Sequence, residues 1–401
     1  MREAITVIGA SLAGLRGVET LRSDGFDGRI TLVGDEPHQP YDRPPLSKQV
    51  LAGDWEPDRI HLAAPDRLAD LRVDLRLGQR ATGLDLEAHT VEVDGVAEGF
   101  DGLLIATGAR CRTLPGTGHL VGVHTLRTLD DCLAIRAALE AVPRRLVVVG
   151  AGFIGSEVAS VAVDRGVEVT MVEALPVPLV RVLGAEIGTT MADLHRSHGV
   201  DLRCGVGVGE LVGEDRVRAA MLDDGSVVEA DMVVVGIGVV PNTDWLESSG
   251  LDLDDGVCCD ATCLAAPDVT AAGDVARWDH PRYGRSVRVE HWDNAVEQGI
   301  HAARRLLQTD EEAPAYAPVP WFWSDQYDRK IQVAGLTHPD DEVRMVTGSP
   351  EEGRFTALYG SGGRFNAVFG MNRPRQVMQF KSLIDQEATW EEALAYAREL
   401  S

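Results

Sequence analysis

The residues best suited to chemistry are glycines in two similar segments. Residues 4–22 read AITVIGASLAGLRGVETLR, and residues 146–163 read LVVVGAGFIGSEVASVAV. Each segment is a short β-branched run, a glycine turn and an apolar pattern at helical spacing. In such a turn the first glycine allows a tight bend, the second lets backbone approach a pyrophosphate, and the third lets helix pack on strand. The repeat therefore predicts two dinucleotide-binding turns.

The two turns differ at their middle position. The second turn has all three glycines, Gly150, Gly152 and Gly155, whereas the first has Gly9 and Gly14 but Ser11 between them. In both turns the backbone N–H groups at the start of the helix would hold the phosphates. We expect the Ser11 side chain to narrow the approach of a phosphate in the first turn.

An acidic residue follows each turn at the end of a second predicted strand. Asp35 lies 35 − 14 = 21 residues after Gly14, and Glu173 lies 173 − 155 = 18 residues after Gly155. A carboxylate at about this distance hydrogen-bonds the adenosine ribose. It also repels a 2′-phosphate, and residues 174–176 contain no arginine, so the second site is predicted to prefer NADH. Two such sites could hold two nicotinamide coenzymes, or one flavin and one nicotinamide.

Further segments carry a family resemblance. Residues 103–108 (LLIATG), 233–242 (VVVGIGVVPN) and 262–277 (TCLAAPDVTAAGDVAR) resemble the two-dinucleotide flavoproteins that include glutathione reductase. Residues 40–48 (PYDRPPLSK), 289–298 (VEHWDNAVEQ) and 321–327 (WFWSDQY) resemble the ferredoxin reductases of bacterial oxygenase systems, over essentially the whole chain. The apoptosis-inducing-factor branch is similar in the PPLSK stretch. The resemblance implies FAD in the first site and NADH in the second.

The resemblance also implies a set of cofactor-binding residues. Those assigned to FAD are Gly9, Ser11, Ala13, Gly14, Asp35, Lys48, Ala81, Arg127, Asp274 and Trp292. Those assigned to NADH are Gly150, Gly152, Ile154, Gly155, Glu157, Glu173 and Gly238. Lys48 and Glu157 are the catalytic candidates: the resemblance implies that they pair beside the flavin and the nicotinamide. A lysine there would stabilise negative charge on reduced flavin. Trp321 and Trp323 fit either a strand in the core or a cover for the flavin.

The electron acceptor implied by the resemblance is a two-iron two-sulfur ferredoxin, which would serve a cytochrome P-450 monooxygenase or a ring-hydroxylating dioxygenase. Disulfide reductases of this class carry a cysteine pair early in the first domain, but the first cysteine here is Cys111. Electrons are therefore expected to leave from the flavin itself. The candidate docking residues are Arg277, Arg282, Arg285, Arg288, Arg304, Arg305, Arg364, Arg373, Arg375 and Lys381. A rubredoxin reductase, an NADH oxidase and a redox-sensing binding protein of the apoptosis-inducing-factor type remain alternatives.

Composition narrows the class of protein. The 401 residues carry a net charge of 38 − 63 = −25, which disfavours nucleic acid and anionic membranes as partners. The longest apolar stretch, Met232–Val240, is shorter than the roughly 20 residues needed to span a bilayer. We therefore expect a cytoplasmic protein. The six cysteines include no C-x-x-C pair, and Glu290 and His291 lack further ligands, so no metal site is predicted.

These patterns predict an α/β fold with two Rossmann-like domains, one inserted in the other, and a small α+β C-terminal domain. The predicted FAD-binding domain comprises residues 1–110 and 241–313, and the predicted NADH-binding domain comprises residues 111–240. Residues 314–401 form the predicted interface domain, after a proline-rich linker at residues 313–320. Alternating apolar residues in IQVAG, FTALYG and NAVFG predict strands there, and an amphipathic helix is predicted from about Thr389.

Overall fold

Two strand–turn–helix motifs organise the fold. The structure is a computed structural model that describes residues 2–141 and 143–400. The helices are α1 (Leu12–Ser23), α2 (Pro65–Asp70), α3 (Leu129–Glu140), α4 (Phe153–Asp164), α5 (Val180–Ser197), α6 (Trp292–Leu307), α7 (Pro374–Asp385) and α8 (Trp390–Glu399). The strands before residue 200 are β1 (Ala4–Ile8), β2 (Arg29–Gly34), β3 (Val73–Leu77), β4 (Ala81–Asp85), β5 (Thr90–Val93), β6 (Val96–Gly99), β7 (Gly102–Ile105), β8 (Ala109–Cys111), β9 (Val123–His124), β10 (Arg145–Val149) and β11 (Glu168–Glu173). The later strands are β12 (Asp201–Cys204), β13 (Val208–Gly213), β14 (Val217–Leu222), β15 (Val227–Glu229), β16 (Met232–Val235), β17 (Val239–Pro241), β18 (Val257–Cys259), β19 (Leu264–Ala266), β20 (Val269–Ala271), β21 (Ala276–His280), β22 (Arg285–Arg288), β23 (Trp321–Gln326), β24 (Arg329–Gly335), β25 (Glu342–Ser349), β26 (Arg354–Ser361) and β27 (Arg364–Met371).

The chain forms two units that are each compact. The first contains the residues up to Asp42, Asp58–Arg110 and Val239–Pro320. The second contains Arg43–Pro57, Cys111–Gly238 and the residues from Trp321 onward. The predicted division into three domains remains a prediction; its end points 1 and 401, and residue 142, lie outside the described residues. The segment Arg43–Pro57 is notable, because it precedes most of the first unit in sequence but belongs to the second.

The first unit is built on a six-stranded sheet with the order β19-β20-β7-β1-β2-β3. Its central strand β1 pairs in parallel with β2 and with β7. Four of the five β1 residues are buried, as expected for a parallel strand covered on both faces. Helices α1 and α6 pack closely, because a Cβ on Gly299 would lie only 2.4 Å from the carbonyl oxygen of Ala13.

The second unit contains a parallel sheet and an antiparallel sheet. The parallel sheet has the order β12-β11-β10-β16-β9, with β10 paired to β11 and β16. The antiparallel sheet has the order β23-β24-β27-β26-β25. The buried face of α5, including Ile187 and Met191, packs with Phe355 and Phe369 of this second sheet. The predicted α/β class with two Rossmann-like folds and a small α+β part is confirmed.

The predicted final helix is present as α8. Thr389 caps it through a hydrogen bond from the Glu392 backbone, and the Glu392 side chain accepts in return from the Thr389 backbone. The strands predicted from IQVAG, FTALYG and NAVFG are β24, β26 and β27. Helix α7 was not predicted. No helix among the described residues is long and apolar enough to cross a membrane.

The segment predicted as a proline-rich linker is packed against the first unit. Tyr316 and Val319 are buried, and the Tyr316 N–H donates to the carbonyl oxygen of Ala261. The Tyr316 hydroxyl donates to the Asn294 side chain at 3.1 Å, and the Trp278 indole donates to the Tyr316 carbonyl at 3.2 Å. The apolar ring of Tyr316 and these bonds explain why this stretch is fixed, although its prolines suggested a free connection.

Candidate nucleotide-binding and active site

The first glycine turn leaves no space for side chains at two positions. Gly9 has a φ of +118°, and a Cβ there would lie 2.0 Å from the carbonyl oxygen of Ala106. A Cβ on Gly14 would lie 1.9 Å from the carbonyl oxygen of Gly9. Only glycine fits both positions, because the bend needs a left-handed residue and the helix touches the turn.

The second turn repeats this construction. Gly150 has a φ of +96°, and its Cβ would lie 2.3 Å from the carbonyl oxygen of Gly236. A Cβ on Gly155 would lie 2.3 Å from the carbonyl oxygen of Gly150. Ala106 and Gly236 follow the equivalent strands β7 and β16. The motifs LLIATG and VVVGIG are therefore the same element of two related folds.

Both helices that follow these turns begin with free backbone donors. The first four N–H groups of an α-helix have no partner within the helix. Ser11, the N-cap of α1, makes no side-chain capping bond, and Gly152, the N-cap of α4, has no side chain. These donors fit the pyrophosphate of a dinucleotide. Ser11 has an ordinary φ of −112°, so serine is tolerated here without backbone strain.

Glu173 is held rigidly at the edge of the second turn. Its carboxylate accepts hydrogen bonds from the backbone N–H of Ala151 and of Leu175, both at 2.9 Å. Because it lies at the carboxyl end of β11, next to the turn after β10, it fits the ribose-binding role predicted for it. Its fixed negative charge would also oppose a 2′-phosphate.

Asp35 does not occupy the matching position in the first fold. The N–H of Gly9 donates to Val33, and the N–H of Gly150 donates to Val172, so these two valines correspond. The distance from the third glycine is 33 − 14 = 19 residues in the first fold and 172 − 155 = 17 in the second. The first fold has two additional residues before this strand end, so Gly34 rather than Asp35 corresponds in register to Glu173. The assignment of Asp35 to FAD remains a prediction.

Glu36 is an additional acidic candidate near the first turn that the sequence reasoning missed. It is half-buried, whereas Asp35 is exposed, and the Tyr41 hydroxyl donates to its carboxylate. Glu36 lies two residues after Gly34, in the bend that follows β2. The pair Asp35-Glu36 could have signalled two candidates rather than one.

Two exposed apolar side chains lie beside the second turn. Ile154, on the first turn of α4, is 45% exposed, and Ile237, within the Gly236–Gly238 stretch, is 38% exposed. A methyl group of Ile237 would be 3.5 Å from a Cβ on Gly150. Ile154 was predicted to bind NADH. Ile237 was missed, although its place between two glycines after a buried strand was a usable signal.

One of the remaining FAD candidates of the first unit, Ala13, lies next to the Gly273–Asp274 turn. A Cβ on Gly273 would lie 3.2 Å from Ala13, so this turn adjoins the start of α1. The Gly273 N–H donates to the buried side chain of Gln298 at 2.9 Å. The Trp292 indole donates to Asp42 at 2.7 Å. The structure thus brings Gly9, Ala13, Gly14, Asp274 and Trp292 into one unit with Ala81, which is buried in β4.

Lys48 and Arg127 lie in the second unit. The Lys48 ammonium is 2.7 Å from Oε2 of Glu157, and their side chains are 11% and 2% exposed. The ion pair that the resemblance implied is therefore present. Arg127 precedes α3, and its carbonyl oxygen accepts from the Arg43 side chain at 2.7 Å. The roles of these residues toward a cofactor remain predictions.

Two serines complete the surroundings of Glu157. Ser47 donates to Oε2, the oxygen that also binds Lys48, and Ser324 of β23 donates to Oε1 at 2.6 Å. Both serines are fully buried. They were missed as site residues, although Ser47 adjoins Lys48 in the PPLSK segment and Ser324 lies in WFWSDQY. Their hydroxyl groups donate hydrogen bonds to the buried carboxylate, which lowers the free-energy cost of burying its charge.

Comparison with known proteins accounts for this arrangement. The sequence profile of the pyridine nucleotide-disulphide oxidoreductases matches residues 3–299, and that of the reductase C-terminal domain matches residues 321–400. The chain belongs to the pyridine nucleotide-disulphide oxidoreductase family. It is 40% identical to rhodocoxin reductase of Rhodococcus erythropolis over 96% of this chain and 90% of that protein. It is 36% identical to putidaredoxin reductase of Pseudomonas putida over 95% of this chain and 91% of that protein.

Solved structures of ferredoxin reductases have the same fold as this chain. A crystal structure of the covalent putidaredoxin reductase–putidaredoxin complex matches with a TM-score of 0.91 and 35% identity, covering 96% of this chain and 93% of that one. A ferredoxin reductase from Rhodopseudomonas palustris matches with a TM-score of 0.91 and 35% identity, covering 98% and 97%. The predicted kinship with ferredoxin reductases of oxygenase systems is confirmed. The chain is an FAD-dependent oxidoreductase that uses a nicotinamide dinucleotide.

The family name refers to a disulphide, but the cysteines of this chain are all unpaired. Burial raises the pKa of Cys132 and of Cys263 to about 12. Burial also raises the pKa of Cys111, the first cysteine of the chain. These thiols are therefore protonated at neutral pH and are poor nucleophiles.

Five of the ten predicted docking residues of this oxidoreductase form ion pairs with acidic neighbours. The ion pairs are Arg277–Asp254, Arg288 with Asp255 and Glu290, Arg304–Asp24, Arg305–Asp310 and Lys381–Asp385. The Arg305 side chain is only 6% exposed. Arg375, on the first turn of α7, is exposed and has no ion pair among the described residues, and Met378 one turn later is 40% exposed. The basic patches are thus smaller than the sequence suggested.

Proposed function

We propose that the chain is an NADH-dependent ferredoxin reductase of an oxygenase system. The observation that carries this proposal is the similarity, over nine-tenths of both chains, to rhodocoxin reductase and putidaredoxin reductase. One solved relative was captured in covalent complex with its own carrier, putidaredoxin. The carrier of this chain is therefore a small ferredoxin, which we propose to be of the two-iron two-sulfur type. The electrons would serve a cytochrome P-450 monooxygenase or a ring-hydroxylating dioxygenase.

The two glycine turns bind different cofactors. The donors at the start of α1, with Gly9 and Gly14, hold the FAD pyrophosphate, and those at the start of α4, with Gly150 and Gly155, hold that of NADH. Glu173 selects NADH by its fixed charge. FAD, when bound, supplies a group that takes two electrons from NADH and releases them one at a time to an iron–sulfur carrier.

Lys48 and Glu157 supply the polar part of the reaction site. The Lys48 ammonium is oriented by Glu157 and little exposed to water, so its charge is weakly screened. We assign Lys48 to stabilising the negative charge that reduction places on the flavin. Glu157 keeps that ammonium in place and lines the nicotinamide site. Neither side chain is proposed as a nucleophile.

The electrons leave without a protein dithiol. No cysteine occurs in residues 1–110, where a disulphide reductase carries its redox pair. The first cysteine, Cys111, has a pKa that burial raises. We also propose a cytoplasmic location, because six unpaired cysteines suit a reducing compartment that supplies NADH.

The carrier would dock through a basic surface. We favour the first turn of α7, where exposed Arg375 and Met378 offer a cation next to an apolar side chain. The remaining candidates, including Arg282, Arg285, Arg364 and Arg373, stay open. A local cation is needed because the net charge of −25 repels an acidic carrier at long range.

The test is anaerobic and aerobic turnover of purified protein with NADH and three acceptors. Fast reduction of ferricyanide and of a two-iron two-sulfur ferredoxin, with slow oxygen use, is expected. Rapid oxygen use would instead identify an NADH oxidase, and efficient transfer only to rubredoxin would identify a rubredoxin reductase. A long-lived complex with NADH and negligible turnover would indicate a redox-sensing binding protein.

A further inference from the structure

Glu157 receives its third hydrogen bond from Ser324, a residue to which no cofactor role was assigned. Ser324 lies 167 residues away in sequence, on β23 of the C-terminal antiparallel sheet, and its hydroxyl donates to Oε1 at 2.6 Å. The opposite oxygen, Oε2, binds Lys48 and Ser47. Ser324 is therefore the donor that fixes the oxygen facing away from Lys48.

The Ser324 hydroxyl is itself oriented. The Gln326 amide donates to the Ser324 oxygen at 3.1 Å, and both side chains have no exposed surface. A hydroxyl has a single proton, and since Gln326 fills an acceptor position, that proton points to Glu157. The order Gln326, Ser324, Glu157 is thus a directed chain of two hydrogen bonds that ends on the carboxylate.

The hairpin carrying Ser324 is fastened to α4, the helix of Glu157. The Tyr327 N–H donates to the Ser160 hydroxyl at 2.7 Å. The Tyr327 hydroxyl lies 2.9 Å from Nδ1 of His195, whose Nε2 lies 3.1 Å from the Ser156 hydroxyl. Helix positions 156, 157 and 160 are therefore all tied to β23 and the turn after it. This attachment fixes the distance between Ser324 and Glu157.

We propose that Ser324 is a positioning residue for hydride transfer, and that through it the C-terminal sheet sets the orientation of Glu157 and hence of Lys48. This inference rests on the proposed function. Without the hydroxyl, Oε1 would lose its donor inside the protein, where an unpaired acceptor is costly. The carboxylate would then turn toward other donors, and its bond to Lys48 would loosen.

The first experiment compares Ser324→Ala with Ser324→Thr, which keeps a hydroxyl, and with Ser361→Ala. Ser361 is a matched control, because it donates to the Asp341 carboxylate at 2.8 Å in the same sheet but lies outside this cluster. Rapid mixing with NADH under anaerobic conditions gives the limiting rate of flavin reduction and the NADH dissociation constant. Ser324→Ala should lower the rate about tenfold and leave the dissociation constant within about twofold, as for one lost bond to a charged group.

The controls separate positioning from general damage. Ser324→Thr should recover most of the rate, and Ser361→Ala should match the unaltered protein. A Ser324→Thr protein as slow as Ser324→Ala, or a Ser324→Ala protein as fast as the unaltered one, would overturn the proposal. Gln326→Met, which removes the donor to Ser324, gives a second variant and should slow reduction in the same direction by a smaller factor.

A second readout does not depend on turnover. The Lys48 amine is labelled with an acylating reagent in the full-length protein without NADH, and the extent is measured by peptide mass spectrometry. Ser324→Ala should increase labelling at Lys48 but not at an exposed lysine such as Lys330. Equal labelling of Lys48 would contradict the proposal. If the unaltered protein is not reduced by NADH, the proposed function fails, whereas this labelling still tests the positioning.

A double-mutant comparison tests whether Ser324 acts through Glu157. In a Glu157→Ala background, the additional change Ser324→Ala should alter the rate of flavin reduction by less than about twofold, because the group it positions is gone. A tenfold loss in both backgrounds would show that Ser324 acts by another route, and the proposal would be wrong.

Discussion

Gly34 in the first nucleotide fold lies at the position that Glu173 occupies in the second. A Cβ on Gly34 would be 2.6 Å from the Ala10 side chain, so no acidic residue fits there. In the second fold Glu173 accepts from the N–H of Ala151, the residue that corresponds to Ala10. The two folds therefore share their glycine geometry, but the position of Glu173 in the second fold is taken by a glycine in the first.

This difference makes Glu36 the acid to test for FAD binding. We expect Glu36→Gln to weaken FAD binding about tenfold, because a hydrogen bond to a charged group is lost. Asp35→Asn, its neighbour and matched control, should have little effect, since Asp35 is exposed. Titration of the apoprotein with FAD, followed by flavin fluorescence, measures both constants. A larger loss in Asp35→Asn would restore the original assignment of Asp35.

Glu173 should govern the choice of coenzyme. Replacing it in the double variant Glu173→Ala/Ala174→Arg removes the fixed negative charge and adds a partner for a 2′-phosphate. The ratio of kcat/KM for NADPH over NADH should rise by roughly 100-fold or more, at about 1.4 kcal/mol for each factor of ten. Dye-coupled kinetics with both coenzymes measure this ratio. An unchanged ratio in a folded variant would mean that another residue discriminates.

Lys48 should control the rate of flavin reduction. Lys48→Met keeps most of the apolar stem but removes the charge, so the limiting rate with NADH should fall by ~100–1000-fold, as when one preorganised donor is lost. Rapid-mixing absorbance at the flavin band measures it. Lys330→Met is a control, because Lys330 makes an ion pair with Asp325 at the surface. A Lys48→Met rate within threefold of the unaltered protein would contradict the assigned role.

The buried His195 should make stability depend on pH. Burial, with a smaller effect from His198, lowers the pKa of His195 to about 4, so the unfolded chain binds more protons than the folded chain between about pH 4 and 6.5. Its neutral form is therefore stabilising above pH 6.5, and that contribution is lost as the pH falls. From pH 7 to pH 5 the loss is about 2 kcal/mol.

The variant His195→Gln, which cannot take up a proton, reports this contribution. Urea unfolding at pH 7 and pH 5 should show a smaller decrease in stability for the variant than for the unaltered protein, by about that amount. Parallel curves for His195→Gln and the unaltered protein would show that His195 does not titrate in this way.

Removing the positive charges at the start of α7 should slow electron transfer to the ferredoxin and leave the reaction of NADH with the flavin unchanged. We expect Arg373→Gln/Arg375→Gln to lower kcat/KM for ferredoxin by about 3–10-fold and to weaken its dependence on salt, because steering by charge is reduced. Reduction of ferricyanide by NADH should stay normal. Arg218→Gln, which changes an exposed arginine of β14, is the control. Unchanged ferredoxin kinetics would remove α7 from the interface.

The features that the sequence predicted are mostly local. The glycine turns, the strands beside them and the final helix from about Thr389 each depend on residues within a few positions, so they can be recognised from local sequence patterns. Ser324 meets Glu157 across 167 residues, and no spacing rule predicts such a contact. Asp35 and Glu173 differ in register because the segment from the third glycine to the strand end is two residues longer in the first fold. The rule that an acid follows about 20 residues after the glycine turn is too coarse to detect this difference. Tyr316 shows that prolines alone do not make a free linker.

The membership of Arg43–Pro57 in the second unit limits how the molecule can be recombined. A chimera that exchanged only residues 111–238 for those of a relative would import a foreign Glu157 beside the resident Ser47, Lys48 and Ser324. Exchanging the coenzyme specificity with that of another reductase therefore requires all three segments of the second unit to be exchanged together. The shortest of them, Arg43–Pro57, lies far before residues 111–238 in the sequence.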